Sequence, residues 1–188
     1  TYKLANAEPE TINKSEIKWL FKQILELEDY RKLSPNKMQR AFFPINEKTT
    51  FKINKFFREL TKDKKLKEIK LSIKGRELII PHFYEGIIKF DFKDLCDKNI
   101  GAEDYLKLAE ISKFIVILNI PNFTDVNSNQ QQRFITLVDI IYEKKISLMI
   151  SLEKNLENIS SSKKLVEPFK RTLSRLYELT SPKYDFTN

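Results

Sequence analysis

Arg171 and Arg175 stand four residues apart, and Asp139 lies between Leu137-Val138 and Ile140-Ile141. In a helix that spacing puts both guanidiniums on one face, where they can grip a phosphate or neutralise an acid. A carboxylate carried into an apolar layer needs a cation beside it, because an unpaired one costs several kcal/mol. Arg171 or Arg175 is therefore the expected partner of Asp139, and a salt bridge from Arg175 to Glu178 is the competing use. Arg133, ahead of Asp139 in the same predicted helix, is expected to fix the loop from Asn122 to Gln132. Asp104 and Tyr105 are expected to anchor the helix that follows Gly101.

Nucleophilic, metal and nucleotide chemistry are poorly provided for. The chain holds one histidine, His82, and one cysteine, Cys96, so it cannot build a His/Cys metal site, and any triad would have to run through His82 alone. Cys96 has no base in sight and reads as a small buried apolar residue, while His82, after Pro81, reads as a surface or interface residue. The three glycines, Gly75, Gly86 and Gly101, are 11 and 15 residues apart. That excludes both a G-x-x-x-x-G-K-[ST] phosphate loop and a G-x-G-x-x-G dinucleotide turn. A single cysteine permits no intrachain disulfide, which suits a reducing compartment. The longest apolar runs fall far short of the ~20 residues that span a bilayer.

These side chains need elements to hold them, and 188 residues with 41% hydrophobic and 12% aromatic side chains are enough to bury a core. Ser15 to Leu27 reads as an amphipathic helix through Ile17, Leu20, Phe21, Ile24 and Leu27, and Thr50 to Thr61 as a second through Ile53, Phe56, Phe57 and Leu60. Ile69, Leu71 and Ile73 alternate with polar residues before Gly75 and Leu78-Ile79-Ile80, the pattern of a β-hairpin, with Ile87 to Phe92 as a third strand. Ala102 to Ser112 is helical. Strand Lys113 to Ile120, helix Ser128 to Lys144 and strand Ile146 to Leu152 then form a βαβ unit, whose strands should be parallel and whose crossover right-handed. A basic helix from Lys163 to Leu179 follows. The net charge of +8 is concentrated between Lys52 and Arg76, where ten Lys/Arg face three acids. An anionic partner would be drawn there, most strongly at low salt.

Five segments carry a resemblance. Lys74-Gly75-Arg76-Glu77-Leu78 is similar to a G-R-x-L strand, Phe90-Asp91-Phe92-Lys93-Asp94-Leu95-Cys96 to F-D-F-x-x-L-C, and Gly101-Ala102-Glu103-Asp104-Tyr105-Leu106 to G-A-x-D-Y-L. Arg133 to Glu143 resembles R-F-I-T-L-I-D-x-x-Y-[DE], and Phe169 to Glu178 resembles F-x-R-T-x-S-R-L-x-E. In this order they resemble the C-terminal part of the ZapE family of AAA+ ATPases. Leu4 to Glu10 is similar to the family's sensor-1 strand end, with Asn6 as the sensor asparagine, and Asp29-Tyr30-Arg31 to its D-Y-R. Lys18 stands where the family carries an arginine, and a lysine lacks the planar fork of an arginine finger.

The resemblance implies an α/β fold: the C-terminal portion of a P-loop AAA+ ATPase, with a β-hairpin region, a βαβ unit and a basic C-terminal helix. Residues 1–48 would be a remnant of the AAA+ core and 49–188 a C-terminal α/β domain. Asn6 would act as first sensor, and Arg171 or Arg175 as second sensor at a γ-phosphate; Arg133, Asp139, Asp104 and Tyr105 would be positioning residues. Complete members use ATP and Mg²⁺, with hydrolysis coupled to cell division or protein quality control. This chain, lacking the Walker A and B segments and beginning at Thr1, is expected to be a fragment, whether the product of a split gene, the remnant of a truncated one or a piece trimmed from a longer chain, inactive alone and without a cofactor of its own. Expected partners are the missing ATPase half and a tubulin-like division protein, in a bacterial cytoplasm or, in a eukaryote, a mitochondrial matrix. The alternative is a non-enzymatic module that binds an acidic protein or nucleic acid through its basic surfaces, Lys52 to Arg76 and Lys163 to Arg175.

Overall fold

The computed structural model describes residues 39–73, 75–98 and 100–181. The predicted helix Ser15 to Leu27 and Asn6 lie outside the described residues. Six strands form one sheet in the order β1-β6-β5-β4-β3-β2, made of β1 (Ala41–Phe42), β2 (Leu66–Ile73), β3 (Arg76–Tyr84), β4 (Ile87–Asp91), β5 (Phe114–Ile120) and β6 (Ser147–Leu152). Among the described residues five helices pack on it: α1 (Glu47–Thr61), α2 (Phe92–Cys96), α3 (Ala102–Ile111), α4 (Ser128–Glu143) and α5 (Val166–Leu179), the last entered through a 3₁₀ turn, Lys163–Leu165.

The sheet is half parallel ladder, half hairpin. β1, β6, β5 and β4 run parallel, β3 runs antiparallel to β4, and β2 antiparallel to β3. β5–α4–β6 is the predicted βαβ unit. The strand expected over Ile87 to Phe92 is β4, which pairs with β3 of the hairpin and also with β5, reached by a second such crossover through α2 and α3. That strand stops at Asp91 because the Asp91 carboxylate accepts the Lys93 N–H at 3.0 Å and so caps α2, turning Phe92 into a helical residue. β1 also went unread: two residues are too few to show a period, and Ala41–Phe42 enters the sheet beside Ile150 and Ser151.

The hairpin is longer than the alternating run suggested. Glu85 and Gly86 both take positive φ in the two-residue turn that joins β3 to β4, the geometry that matches strand twist. β3 crosses Pro81 where the register slips: Lys67 opposes Phe83 and Ile69 opposes Ile80, leaving Pro81 and His82 facing one residue, as in a bulge, a place that tolerates a proline without an N–H.

Each face of the sheet has its own apolar layer. On one, Ile53 and Phe57 of α1 cover Ile87, Phe114, Val116 and Met149. On the other, α3, α4 and α5 cover Ile88, Phe90, Ile115, Ile117, Leu148 and Ile150. The strict alternation along β5, with Phe114 and Val116 on one side and Ile115 and Ile117 on the other, is the period-two rule with both faces buried. At the helical layer's centre four rings from four segments meet: Phe92 of α2, Phe123 of the loop after β5, Phe134 of α4 and Phe169 of α5, with centroids 5.4 to 5.9 Å apart.

Phe134 is fully buried in that cluster. Phe134→Ala is expected to lower unfolding stability by about 3–5 kcal/mol in urea titrations, whereas Phe51→Ala, at a half-exposed position, should change it by less than about 0.5 kcal/mol.

Candidate functional site

Asp139 projects from α4 towards α5, where the 3.6-residue period brings Arg171 and Arg175 to the same side. The structure places both guanidiniums on this one carboxylate: Arg171 Nη2 lies 2.7 Å from Oδ2, and Arg175 Nη1 donates to Oδ1. The two arginines are not equivalent. The Arg175 side chain is 19% exposed and its guanidinium lies 4.9 Å from the Tyr142 ring centroid; the Arg171 side chain is 59% exposed. Glu178, the other acid considered for Arg175, accepts the Tyr142 hydroxyl at 2.7 Å instead.

Arg133 reaches away from the loop it was expected to fix. Its Nη1 donates to the Cys96 carbonyl at 2.9 Å, at the C-terminal end of the short helix α2, where a cation meets the helix dipole. The loop is held by other side chains. Asn127 accepts the Thr124 N–H and donates to the Asn122 carbonyl, Glu153 accepts the Asn122 N–H, and buried Gln131 joins Ser161 and Ser162. Tyr105 is buried and donates to the Leu95 carbonyl at 2.7 Å, while the Asp104 carboxylate accepts the Gly101 N–H at 2.9 Å and closes the first turn of α3.

Cys96 is enclosed by these same residues. Burial pushes its thiol up to about 12, with a hydrogen bond to Tyr105 and the charge of Arg133 only partly opposing it, and burial likewise raises the Tyr105 phenol. A neutral, inaccessible thiol is no nucleophile. His82 is exposed on β3.

Sequence reasoning missed the polar rim at the carboxyl ends of the parallel strands, the place where open α/β sheets hold ligands. Asn119 takes a φ of 61° at the end of β5, donates from its side chain to Asp91 at 2.6 Å and from its backbone to Ser151 Oγ at 2.8 Å. The rim knits β4, β5 and β6 together. Its one sequence signal is an asparagine, among the non-glycine residues that most often take positive φ, just ahead of Ile120-Pro121. Arg40 was missed as well: fully buried, it donates to the Leu179 and Ser181 carbonyls at 2.9 and 3.1 Å.

These packed motifs fit what comparison with known proteins finds. The AFG1-like ATPase family model matches residues 21–187. The chain belongs to the AFG1-like ATPase family. Cell division protein ZapE of Escherichia coli is 28% identical over 156 residues, 83% of this chain and 42% of its own length. Lactation elevated protein 1 homolog B of Danio rerio is 29% identical over 89 residues, 47% of this chain and 18% of its own. The chain thus spans less than half the length of these curated relatives. No solved structure matches it. Among the described residues no helix is long and apolar enough to cross a membrane, and no group of three or more His, Cys, Asp and Glu could hold a metal ion.

Two measurements probe these arrangements. Asp139→Ala, which strands two cations, should lower stability by about 1–3 kcal/mol, and Arg171→Ala by about 1 kcal/mol or less because that side chain is largely solvated; chemical denaturation reads both. Cys96 should resist a disulfide-exchange reagent at pH 8 in the native protein and react at once after unfolding. Because the folded thiol is raised, the unfolded chain ionises first, so stability should fall as pH climbs from the ordinary thiol range towards 12, and Cys96→Ala should flatten part of that fall.

Proposed function

We propose that this chain is the C-terminal α/β portion of a ZapE-like, P-loop AAA+ ATPase, and that by itself it neither binds nor hydrolyses ATP. The observation that carries this reading is where the glycines go. Gly75 and Gly86 have φ of +77° and +96° in the two hairpin turns, and Gly101 is the N-cap of α3. Each glycine is committed to a turn or a cap, so none is left to build a nest of amides around a triphosphate. The described residues therefore do not fit ATP and Mg²⁺.

In a complete family member ATP and Mg²⁺ would be held by the P-loop half, with residues 1–48 as the tail of the AAA+ core and 49–188 as the C-terminal domain. Asn6 is proposed as the first sensor. Of the two arginines, Arg171 suits a second sensor, since it is solvated and its hydrogen bond to Asp139 can be exchanged for one to phosphate. Arg175, packed against Tyr142, would position Asp139 and through it Arg171. Arg133, Asp104 and Tyr105 would hold the scaffold around α2. The function proposed for the assembled enzyme is ATP hydrolysis coupled to cell division or protein quality control, with the ATPase half and a tubulin-like division protein as partners in a bacterial cytoplasm.

The test is reconstitution. Titrated with a fluorescent ATP analogue and Mg²⁺, the chain alone should show no saturable binding in the micromolar range. Adding a separately produced segment bearing G-x-x-x-x-G-K-[ST] should yield hydrolysis, which Arg171→Ala lowers at least about tenfold. Saturable binding by the chain alone, lost on Asn6→Ala, would overturn the reading.

A further inference from the structure

β2 closes one side of the sheet. Its register partners all lie on β3, and among the described residues no strand pairs with its other side. The turn determines which backbone groups face outward. Ile73 and Arg76 flank the two-residue turn and form its closing pair, so by the alternation of an antiparallel ladder Ile73, Leu71 and Ile69 bond to β3. Ser72 and Lys70 therefore turn their N–H and C=O groups away from the sheet. Outward groups of this kind are a template for another extended chain.

We infer that β2 receives an acidic, extended protein segment as a seventh strand, its backbone on Lys70 and Ser72 and its carboxylates among the lysines around them. Three observations choose this occupant. Lys62, Lys65, Lys67 and Lys70 are exposed along the approach to β2 and on the strand itself, and the two ion pairs they make, Lys62–Glu59 at 3.6 Å and Lys70–Glu68 at 3.9 Å, are long and solvated. Such pairs contribute little and exchange readily for a partner's carboxylates. Ile69 and Leu71 lie on the opposite face from Lys70, half-buried against the helical layer, so alternate side chains of an added strand would extend that layer.

The lysines also exclude rivals. A second copy of β2 would set lysine against lysine, which is how edge strands avoid self-pairing. A nucleic acid meets Glu59, Asp63 and Glu68 interrupting any phosphate track, and β2 offers no aromatic ring for a base to stack on. This inference is independent of the ATPase reading.

The probe is a fluorescein-labelled peptide alternating glutamate with valine. Its anisotropy with the intact chain should saturate at low salt, weaken as salt rises, and weaken at least about tenfold in a Lys67→Glu/Lys70→Glu variant. Ser72→Pro, which deletes one outward N–H and leaves every charge, should weaken it too, and hydrogen exchange at Lys70 and Ser72 should slow on binding. Should Ser72→Pro fail to fold, a peptide N-methylated at alternate amides tests the same bond on the unaltered chain. Absence of saturable binding, equal affinity for the N-methylated peptide, or tighter binding of a single-stranded oligonucleotide that displaces the peptide would each overturn the inference.

Discussion

The meeting of Phe92, Phe123, Phe134 and Phe169 is the constraint on which the rest of the molecule turns. Rings at these separations gain from edge and offset contacts beyond the area they bury. Each comes from a different segment, so the cluster fixes where β4 ends, where the loop after β5 runs, and how α4 and α5 lie on the sheet. Arg133 and Tyr105 work at its border, satisfying the Cys96 and Leu95 carbonyls that α2 leaves open. Three of the segments that resemble the family, F-D-F, R-F-I-T and F-x-R-T, each contribute one ring. Much of the family's signature in this chain is therefore the signature of a packing arrangement.

The charged residues divide along the same line. Asp139, between α4 and α5, holds two guanidiniums, which makes the helix pair an electrostatic as well as an apolar contact. What distinguishes the arginines is solvent: one is sandwiched against a ring, the other lies largely in water. A role in nucleotide chemistry and a role in holding the scaffold are then compatible within four residues of sequence, because only one of the two needs to leave its place.

Legibility followed period and length. Helix α1 and the first half of the hairpin were readable because their residues repeat a pattern of 3.6 or 2, and both strands of β5–α4–β6 because each is a short, nearly unbroken apolar run on either side of a helical stretch. The partnership open to Asp139 was readable because a partly buried carboxylate leaves few choices and two arginines lay at one helical spacing. Two-residue β1, five-residue α2 and the bulge at Pro81 were not, since short elements show no period and a bulge looks like noise in one. Arg133 was assigned to its nearest loop, whereas a long side chain on a helix reaches whatever carbonyl its neighbour exposes. The rim of Asp91, Asn119 and Ser151 draws on three strands far apart in sequence, and only the parallel ladder brings them into reach.

Arg40 joins the beginning of the described chain to its end. Its backbone N–H donates to the Thr180 carbonyl, its own carbonyl accepts from Ile150, and its side chain closes over Leu179 and Ser181. The polypeptide thus departs from both ends at one corner, through a single latch. Tension applied ahead of Gln39 would load β6 and the last turn of α5 together, so a pull on that corner has a mechanical lever on the helix that carries Arg171 and Arg175.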